Sequence, residues 1–380
     1  MKRILFFNTN LMIGGAERQL LNVARHLDRS RWEVTILLAE NRGHLIKEVP
    51  DDVKFVVLSG RCPGNYPGKA LWAIRQAVVL RRFLRNGHYD VILTFLWLPT
   101  LLCALALYGL KVRPRFVCSV QFNHKIEYAH RWFGWLRLYL VKAFATRLVD
   151  YFIIPSKLGL DVAKRFFSLP SEMFSVIPNA IDLDAMNERL GEAIPYPKPK
   201  DQLRLISIGR LVRQKGYEDL LAAVAFHCVD LSDSVEFLIL GGGLEERKYK
   251  EMAKTMGISS IVKFLGEVEN PYAWLRDADI FVMPSRWEPF GIALIEAMAV
   301  GLPVVATETD GPRDIIEPEV DGILVSTGDV EALGQAILKL CQSPDLRVVL
   351  AKKAKEKAAQ FDAPNIAARY DKVLSSVVYQ

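Results

Sequence analysis

Short apolar segments rich in β-branched and aromatic residues alternate along the chain with longer segments in which apolar residues recur every three or four positions. The first pattern predicts buried strands, and the second predicts amphipathic helices. Six strand-like segments fall in the first half: KRILFFN, EVTILLA, KFVVLS, DVILTFL, RFVCSV and YFIIPS. Six more fall in the second half: LRLISIGR, VEFLILGG, IVKFLGEV, IFVMPS, PVVATE and GILVS.

This alternation predicts an α/β protein of two doubly wound domains, because apolar strands separated by helices form parallel sheets covered on both faces. The helical periodicity lapses at residues 177–202, and the tail of that region, YPKPKDQ, has the composition of a linker. We therefore predict a first domain at residues 1–180 and a second at 181–363. A last helix, at about 364–380, is expected to pack back on the first domain.

The segment VILTFLWLPTLLCALALYGL, residues 91–110, admits two interpretations. Its twenty residues carry no charge and are long enough to span a bilayer. Alternatively, YDVILTFLW is a buried parallel strand, and the sequence around Pro99 and Thr100 starts a helix too short to span. The surrounding alternation of strands and helices favours the second interpretation.

Composition and charge narrow the classes of protein. With 51% apolar and 24% charged residues, the chain is that of a folded protein rather than a disordered one. A net charge of +6 is compatible with nucleic acid, an anionic membrane or a phosphorylated ligand as the partner. Five scattered cysteines without a CxxC pair indicate a reducing compartment and neither a disulfide framework nor a zinc site.

Candidate chemistry lies in the loops that follow strands, because open α/β sheets bind ligands at the carboxyl ends of their strands. Two facing sheets would place such a site in the cleft between the domains. After the first strand, Gly14 and Gly15 precede a helix and could bring backbone amides to a phosphate, or simply form a tight turn. They do not fit the dinucleotide fingerprint G-x-G-x-x-G.

Two loops of the second half have similar features. Arg210 and Lys215 follow LRLISIG and could converge on a diphosphate, although a solvated basic loop would have the same sequence. The triplet Gly241–Gly243 follows FLIL and would let backbone lie against a flat or phosphorylated ligand, or form a flexible turn.

The stretch RWEPFGIALIEAMAVG carries two glutamates at a revealing spacing. Glu288 lies in a strand-exit loop, and Glu296 lies about one turn into the following helix. In a helix they would be about 12 Å apart, too far for an acid and base acting on one atom. The separation suits an elongated ligand held at both ends, with phosphate at the helix start near Gly291. A nucleotide sugar has that order of parts.

Several segments together resemble the retaining glycosyltransferases of family four, which have the GT-B fold of two facing Rossmann-like domains. They are IGGAER near the start, IPNAID, GRLVRQKG, and EPFG followed by four residues and then a second glutamate. The resemblance implies that Arg210 and Lys215 neutralise the donor diphosphate, and that Glu288 binds hydroxyls of the donor sugar. Glu296 would hold the ribose hydroxyls. Contacts to sugar, phosphate and base are further implied for Gly15, Gly242, Val268, Phe290, Gly291 and Ile292.

The sequence departs from the family pattern at two places. Ala180 stands in IPNAID where many relatives carry glycine, which is a small change. Family members often carry a histidine directly after the strand RFVCSV, near the transferred sugar. Gln121 occupies that place here, and His124 follows three residues later. Either residue is a candidate for the sugar contact.

The function implied is transfer of a sugar, with retention of configuration, from a nucleoside-diphosphate donor to an acceptor hydroxyl. A UDP-sugar is favoured as the donor and a GDP-sugar is the alternative; the acceptor expected is a lipid-linked or cell-surface glycan precursor. Neither a metal nor another cofactor is expected, because Arg210 and Lys215 supply charge. The D-x-D match at Asp277–Asp279 lies at the wrong end of the sheet, and Asp182–Asp184 suits helix capping.

Other functions remain as alternatives. A GT-B nucleotide-sugar epimerase or phosphorylase would use a similar cleft, and an NAD-dependent dehydrogenase would share the doubly wound halves. A nucleic-acid-binding protein is the non-enzymatic alternative, although the chain lacks a recognisable binding module. Nucleic acid is therefore not expected as a partner.

One segment of the first domain, FNHKIEYAHRWFGWLRLYLVKAFATRLVD, predicts a basic amphipathic helix rich in aromatic residues. Such a helix can lie on an anionic membrane or pack its apolar stripe on a sheet. We expect a cytoplasmic protein, with peripheral contact at the inner face of the cell membrane under the first of these two interpretations.

Overall fold

The computed structural model describes residues 1–58, 61–62, 66–121, 134–228, 231 and 233–379. The chain divides into two compact units. One consists of Met1–Ala180 with Ala363–Gln380, and the other of Ile181–Asp362. Each unit is built on a parallel sheet.

The first unit contains a seven-stranded sheet in the order β3-β2-β1-β4-β5-β6-β7. Its strands are β1 Lys2–Asn8, β2 Trp32–Leu38, β3 Lys54–Val57, β4 Val91–Thr94, β5 Arg115–Ser119, β6 Tyr151–Ile154 and β7 Phe174–Val176. Its described α-helices are α1 Gly15–His26, α2 Tyr66–Gly87, α3 Trp97–Leu107, α4 Gly134–Leu148, α5 Lys157–Phe167 and, from the end of the chain, α14 Ala363–Tyr379.

The second unit contains a six-stranded sheet in the order β10-β9-β8-β11-β12-β13. Its strands are β8 Leu203–Ile208, β9 Val235–Leu240, β10 Val262–Gly266, β11 Ile280–Met283, β12 Val304–Thr307 and β13 Ile323–Val325. Its described α-helices are α6 Leu183–Leu190, α7 Tyr217–His227, α8 Glu246–Thr255, α9 Pro271–Arg276, α10 Ile292–Val300, α11 Asp310–Ile315, α12 Val330–Gln342 and α13 Pro344–Ala358.

Alternation along each central strand places side chains in two core layers, one on each face of the sheet. In β1, Ile4 and Phe6 enter the layer that contains buried residues of α1 and α14, whereas Leu5 and Phe7 enter the layer beneath α2 and α3. Consecutive strand residues point to opposite faces, so a strand that is apolar at every position must be covered on both. These continuous apolar runs therefore produce helix, sheet and helix layers.

The twelve strands predicted from periodicity are all present, within a few residues of their predicted ends. The prediction missed β7, which has only three residues, Phe174–Val176. In the segment 91–110, the buried-strand interpretation is confirmed: β4 is followed by α3, a helix of 11 residues. Among the described residues, no helix is both long enough and apolar enough to cross a bilayer.

The predicted linker YPKPKDQ is not a free connection between the units. It belongs to the second unit, where the Tyr196 hydroxyl donates to Glu236 at 2.9 Å and Lys198 pairs with Asp279 at 2.7 Å. Arg204, on β8, also donates to the Tyr196 carbonyl at 3.2 Å. Proline and charged residues predicted a linker from local composition. The segment is instead held by Glu236, Asp279 and Arg204, which local composition cannot reveal because they are remote from most of the segment in sequence.

The last helix, α14, packs against the first unit. Its Tyr370, Leu374 and Val377 are buried in the same core layer as residues of β1. Trp32 at the start of β2 donates its indole N–H to Asp371 at 2.5 Å. Chain connectivity thus leaves the first unit after Ala180 and returns to it at Ala363.

Candidate functional site

The loops that leave β8, β9, β10 and β11 emerge side by side at the carboxyl edge of the second sheet, because these strands are neighbours. Most of the site residues expected from the sequence lie on these loops or on the helix α10 that follows β11. The edge gathers Arg210, Lys215, Gly242, Val268, Glu288, Phe290, Gly291, Ile292 and Glu296.

Lys215 and Glu288 form an ion pair across the ends of adjacent strands, with the lysine ammonium donating to Oε2 of the carboxylate. Lys215 ends a 3-10 turn, Arg213–Lys215, which follows β8. The turn is fixed to the loop after β11, since the Arg286 amide donates to the Gln214 carbonyl at 2.8 Å and Gln214 Nε2 donates to the Trp287 carbonyl at 3.1 Å. Two loops expected to bind one ligand are therefore joined.

Gly216 explains how these loops come so close. Its φ is +67°, and a Cβ atom on it would lie 1.9 Å from the carbonyl oxygen of Pro284. Any larger residue would push the basic turn away from the loop after β11.

Glu288 is nearly buried, with 8% of its surface exposed. Besides Lys215, its Oε2 accepts a hydrogen bond from the hydroxyl of the fully buried Ser285, at 3.3 Å. Its backbone carbonyl accepts from the Gly311 amide at 2.9 Å. Ser285 was not predicted from the sequence as a site residue. Its position directly after the apolar strand segment IFVMP could have indicated it, because site residues lie where parallel strands end. Both donors converge on Oε2 of the carboxylate.

Arg210 differs from the other cations at this edge. Its side chain is exposed, and within the described parts of the chain it has neither a hydrogen bond nor an ion pair. Arg286, by contrast, is bound to Asp219 at 2.9 Å and 3.0 Å and to Glu218 at 2.9 Å. The hydrogen bonds and charge of Asp219, followed by the charge of Glu218, raise the pKa of Arg286 above its ordinary value. Arg286 thus anchors its loop to α7.

The three consecutive glycines after β9 have different structural roles. A Cβ on Gly241, which has a φ of +131°, would lie 2.1 Å from the Gly209 carbonyl oxygen, and one on Gly243 would lie 2.3 Å from that of Leu211. Both glycines are required by the contact with the neighbouring loop. A Cβ on Gly242 would meet only the flexible side chain of Glu267, at 3.3 Å. Backbone packing therefore does not account for glycine at position 242.

Glu296 is buried within α10, with 5% of its surface exposed, and its Oε1 accepts a hydrogen bond from the Tyr272 hydroxyl at 3.3 Å. Tyr272 lies in α9, a helix capped by the side chain of Asn270. Val268, in the same connection after β10, is partly buried against the core layer that contains α10. The glutamate in the apolar run is thus oriented by a tyrosine that sequence reasoning did not identify.

Phe290, Gly291 and Ile292 form the entry to α10. Phe290 is buried and packs edge-on against Phe361, with ring centroids 5.7 Å apart. Gly291 precedes the helix with a φ of +106°, and no side chain caps the helix start. The first amides of a helix have no acceptor within it, and they carry the positive end of its dipole. This entry is suited to a negatively charged group.

In the first unit, Gly15 is the exposed first residue of α1. Gln121 lies just beyond β5 and forms a reciprocal amide pair with the buried Asn179: it donates to Asn179 at 2.9 Å and accepts from it at 2.8 Å. Gln121 also donates to Ser119 at 3.0 Å. The pair joins the residue after RFVCSV, where the sequence departs from the family pattern, to IPNAID, the segment that contains Asn179.

Tyr370, on α14, joins the hydrogen bonds around Gln121, because its hydroxyl lies 3.0 Å from Oγ of Ser119. Burial raises the pKa of Tyr370 to about 12, so the hydroxyl keeps its proton at neutral pH. His124, the other candidate for the sugar contact, lies outside the described residues, as do Trp132 and the start of the predicted amphipathic helix.

The acidic pairs considered as D-x-D matches are engaged in other contacts. Asp277 accepts from the buried Arg204 at 2.5 Å, and Asp279 accepts from Lys198 at 2.7 Å, both at the amino edge of the second sheet. Asp182 caps α6 by accepting from the Ala185 amide at 3.0 Å, as the capping interpretation predicts. In the part of the chain that the structure describes, no group of three or more His, Cys, Asp or Glu side chains is arranged to hold a metal ion.

Two family models match the chain in the order of its two units. The model described as Glycosyltransferase Family 4 matches residues 13–185, and the model described as Glycosyl transferases group 1 matches residues 192–357. These matches, together with the fold, confirm the resemblance to glycosyltransferases of family four and to their GT-B fold. The chain belongs to the family-four-like glycosyltransferases with the GT-B fold.

Two curated relatives illustrate the range of similarity. The lipopolysaccharide core biosynthesis glycosyltransferase LpsE of Rhizobium meliloti is 33% identical over 179 residues, which are 47% of this chain and 51% of that protein. The chain therefore matches about half the length of that relative. The N-acetylgalactosamine-N,N'-diacetylbacillosaminyl-diphospho-undecaprenol 4-alpha-N-acetylgalactosaminyltransferase of Campylobacter jejuni is 26% identical over 371 residues, 97% of this chain and 98% of that protein.

Among solved structures, Anabaena HepE in complex with UDP and glucose superimposes with a TM-score of 0.79 at 22% identity. The superposition covers 99% of this chain and 100% of that one. At this level of identity the similarity concerns the fold. It confirms the prediction of two Rossmann-like parallel-sheet domains.

Proposed function

We propose that this chain transfers a sugar from a nucleoside-diphosphate donor to an acceptor hydroxyl, with retention of the anomeric configuration. The observation that carries the proposal is the ion pair between Lys215 and Glu288 at the carboxyl edge of the second sheet. The exposed side chain of Arg210, which has no partner among the described residues, lies on the same edge. A cation and a buried carboxylate in contact are suited to a ligand in which phosphate and sugar are directly joined.

The electrostatics support assigning Arg210 and Lys215 to the diphosphate. Negative charge grows on the leaving nucleotide as the bond to the sugar breaks, and prearranged cations stabilise that charge in the transition state. The amides at the entry to α10, around Gly291 and Ile292, add partial positive charge. With this charge supplied by the protein, the proposed reaction needs neither a metal nor another cofactor.

The two glutamates bind opposite ends of the donor in this proposal. Glu288 accepts hydrogen bonds from sugar hydroxyls through Oε1, while Lys215 and Ser285 hold Oε2. Glu296, oriented by Tyr272, accepts from the ribose hydroxyls. Gly242 leaves space for close approach of the ligand, Val268 frames the base, and Phe290 fixes the entry to α10 by packing on Phe361.

In the first unit, Gly15 would bring backbone toward phosphate and sugar. Gln121, held in place by its amide pair with Asn179, would lie beside the transferred sugar, where family members often carry histidine. No carboxylate at the described site stands out as a covalent nucleophile, because Glu288 is assigned to the sugar hydroxyls and Glu296 to the ribose hydroxyls in this proposal. We therefore propose front-face displacement, in which the departing phosphate takes the acceptor proton.

The choice of donor and acceptor follows the relatives. HepE was solved with UDP and glucose, which favours a UDP-sugar, and a GDP-sugar is the alternative that the first experiment tests. LpsE is named for lipopolysaccharide core biosynthesis, and the Campylobacter enzyme for a diphospho-undecaprenol substrate. These names favour a lipid-linked or cell-surface glycan precursor as the acceptor, used at the inner face of the cell membrane.

Thermal unfolding in the presence of candidate ligands tests the donor site. A ligand that binds only the folded state raises the midpoint once its concentration passes its dissociation constant. We expect UDP to raise it more than GDP, ADP, NAD or a short DNA duplex. Glu296→Ala should weaken the effect, whereas Glu251→Ala, a change on the exposed face of α8, should not. Stabilisation by NAD or DNA alone would contradict the proposal.

Analysis of the reaction product tests the chemistry. Nuclear magnetic resonance of the new glycosidic bond should show the anomeric configuration of the donor, with EDTA present throughout. An inverted bond or a reaction abolished by EDTA would overturn retention or metal independence respectively. Release of a sugar phosphate would indicate a phosphorylase, and an altered sugar still attached to the nucleotide would indicate an epimerase.

A further inference from the structure

Gln121 is the partly exposed member of an otherwise buried polar cluster in the first unit. Its partners in the cluster are enclosed: Ser119 and Tyr370 have no exposed surface, and Asn179 is 3% exposed. Within this cluster, Gln121 is therefore the side chain that can reach a ligand. The other side chains can act on a ligand only through it.

The hydrogen bonds of Gln121 use both N–H groups of its side-chain amide. Nε2 donates to Oγ of Ser119 at 3.0 Å and to Oδ1 of Asn179 at 2.9 Å. Oε1 accepts from Nδ2 of Asn179 at 2.8 Å. The carbonyl oxygen of an amide has a further lone pair, whereas the nitrogen has no further hydrogen to donate. In this orientation Gln121 can offer a ligand only an acceptor.

The opposite orientation of the amide would make Gln121 a donor instead. If the amides of Gln121 and Asn179 both turned over, the reciprocal pair between them would survive, because each amide carries both donors and an acceptor. Oε1 of Gln121 would then face Ser119, and an N–H would face outward. The interaction that fixes the amide therefore determines which ligand group Gln121 can recognise.

Tyr370 favours the observed orientation through Ser119, whose Oγ lies 3.0 Å from the tyrosine hydroxyl. While Ser119 accepts from Gln121, its own hydroxyl proton can be donated to the oxygen of Tyr370. Without that oxygen the proton would lose its acceptor, and turning the amide would provide Oε1 of Gln121 in its place. An unpaired buried hydroxyl is unfavourable. Loss of the Tyr370 hydroxyl should therefore favour the opposite orientation.

The backbone that carries Asn179 is fixed on helix α1. The amide of the next residue, Ala180, donates to Oε1 of the fully buried Gln19 at 2.6 Å. The Ala180 carbonyl accepts from Nδ2 of Asn22 at 2.9 Å. Both contacts hold the partner of Gln121 in place, so a change at Ser119 acts on the amide orientation and not on the position of the pair.

We propose that Tyr370 is a positioning residue that makes Gln121 a hydrogen-bond acceptor toward the transferred sugar. In the proposed function, on which this rests, Gln121 lies beside that sugar. Its Oε1 accepts from a sugar hydroxyl, so a donor whose sugar lacks this hydroxyl binds more weakly. Recognition of the sugar thus depends on a tyrosine of the last helix, 251 residues from Ser119 in sequence.

Calorimetric titration with UDP and with UDP-glucose separates the sugar contact from the nucleotide contacts. If GDP is the nucleotide that stabilises the chain, GDP and GDP-mannose replace them. Tyr370→Phe, which removes a single oxygen, should bind UDP as the wild type does and UDP-glucose about threefold to tenfold more weakly, the range for one neutral hydrogen bond. Gln121→Ala should show the same pattern. Because Tyr370 acts through Gln121, the double variant should lose no more affinity than Gln121→Ala alone.

Analogues of UDP-glucose that lack single hydroxyls identify the sugar group. One of them should bind the wild type about threefold to tenfold more weakly than UDP-glucose does. Gln121→Ala should bind that analogue and UDP-glucose equally, since its acceptor oxygen is absent.

Tyr151→Phe is the matched control. Tyr151 lies at the start of β6 in the same unit, and its hydroxyl is paired with Oγ of Ser175 at 2.8 Å. The variant therefore also removes the hydroxyl of a tyrosine–serine pair, and it should bind UDP-glucose as the wild type does. Ser119→Ala removes the same link to Gln121 by a second route and should reproduce the loss seen with Tyr370→Phe.

Nuclear magnetic resonance of the Gln121 side-chain amide reports its orientation without any ligand. Its signals are assigned by their absence in Gln121→Ala. In the wild type both N–H groups are bonded within the protein, whereas in Tyr370→Phe one of them should turn outward. Exchange of these protons with solvent should therefore be faster in Tyr370→Phe than in the wild type or in Tyr151→Phe.

Three results would overturn the positioning role and leave the proposed function intact. They are an unchanged affinity of Tyr370→Phe for UDP-glucose, an equal loss of affinity in Tyr151→Phe, and losses that add in the double variant. A wild type that binds neither nucleotide sugar would instead contradict the proposed function, and the positioning role with it.

Discussion

Lys215 donates a hydrogen bond to Glu288 across 73 residues of sequence. The cation expected to meet the diphosphate and the carboxylate expected to meet the sugar thus neutralise each other at the ends of β8 and β11. The pair opposes diphosphate binding in part, because Glu288 both compensates the lysine charge and repels an approaching anion. Replacing Glu288 with a neutral residue should therefore strengthen the binding of a diphosphate.

Glu288→Gln keeps the shape of the side chain and removes its charge. We expect UDP to bind about fivefold more tightly, on the order of the 1 kcal/mol that one ion pair contributes. We expect the rate of sugar transfer to fall by about 10- to 100-fold, because a hydrogen bond to a charged acceptor contributes about 1.5–3 kcal/mol. Calorimetric titration with UDP and initial rates of transfer check the two effects.

Ser285→Ala is the control for this prediction, since it removes one long hydrogen bond, at 3.3 Å, from a neutral donor to Glu288 and leaves the charge of the carboxylate. UDP affinity and rate should both stay within about fivefold of the wild type. A parallel loss of UDP affinity and rate in Glu288→Gln would mean that the carboxylate maintains the loop rather than opposing the diphosphate.

The glycine triplet offers a matched pair of variants. Gly241→Ala places a methyl group against the Gly209 carbonyl at a positive φ, and we expect it to lower the free energy of unfolding by about 1–3 kcal/mol. Gly242→Ala should change stability by no more than about 0.5 kcal/mol. It should nevertheless weaken UDP binding by about tenfold, or 1.4 kcal/mol, because its methyl group would occupy the space proposed for the ligand.

Urea unfolding and UDP titration separate the two variants. If Gly242→Ala bound UDP as tightly as the wild type, the backbone at position 242 would not approach the ligand.

A buried charge network at the amino edge of the second sheet should control stability without affecting ligand binding. Arg204 is fully buried and donates to Glu236 at 2.7 Å and to Asp277 at 2.5 Å. Arg204→Met removes the buried cation that pairs with these carboxylates, which costs about 3–5 kcal/mol in comparable buried pairs. Urea unfolding measures the loss, and UDP affinity of the folded variant should be unchanged.

Lys198→Met is the comparison variant, because Lys198 is partly exposed where it pairs with Asp279. It should cost less than about 1 kcal/mol. Equal losses for the two variants would mean that burial of Arg204 does not determine the strength of the network.

The ion pairs at the start of α7 predict a pH dependence of stability. The hydrogen bond from Lys248 and the charge of Arg286 hold the pKa of Glu218 below its ordinary value of 4.5. A lowered pKa in the folded state adds stability above the ordinary value, and this stability disappears as the pH falls through the lowered value. The wild type should therefore exceed Glu218→Gln in thermal midpoint at neutral pH.

The difference between these two proteins should shrink from pH 5 downward and vanish in strong acid. Its size at neutral pH should stay below about 1 kcal/mol, as for other ion pairs near the surface. Thermal scans of both proteins across the acid range check the trend, and a difference that grows on acidification would contradict it.

Local sequence patterns predicted the positions of the strands correctly. They did not predict contacts between residues that are remote in sequence. A buried strand such as β1 is apolar at every position, so its presence can be inferred from local periodicity alone. The three-residue β7 is too short to produce such a pattern. The linker prediction failed for a different reason, since Tyr196 and Lys198 are held by Glu236 and Asp279, which are remote in sequence.

For the site, too, the sequence predicted local features and not the contacts between remote residues. The motifs around Arg210, Lys215, Glu288 and Glu296 were enough to predict loops at one sheet edge, because parallel strands place their carboxyl ends together. They did not reveal that Ser285 and Tyr272 orient the glutamates. Nor did they predict the amide pair of Gln121 with Asn179. Serine, tyrosine and asparagine are common in loops, so their residue types alone carry no signal.

The sequence by itself determined the class of fold, the strand positions and the family, because burial on two faces and short motifs are local properties of the chain. The tertiary structure decided which charges meet. Strand order places β8 beside β11, and only that adjacency pairs Lys215 with Glu288 and leaves Arg210 without a partner among the described residues. The reason is that a hydrogen bond depends on distances of about 3 Å, which long-range packing sets and local periodicity does not.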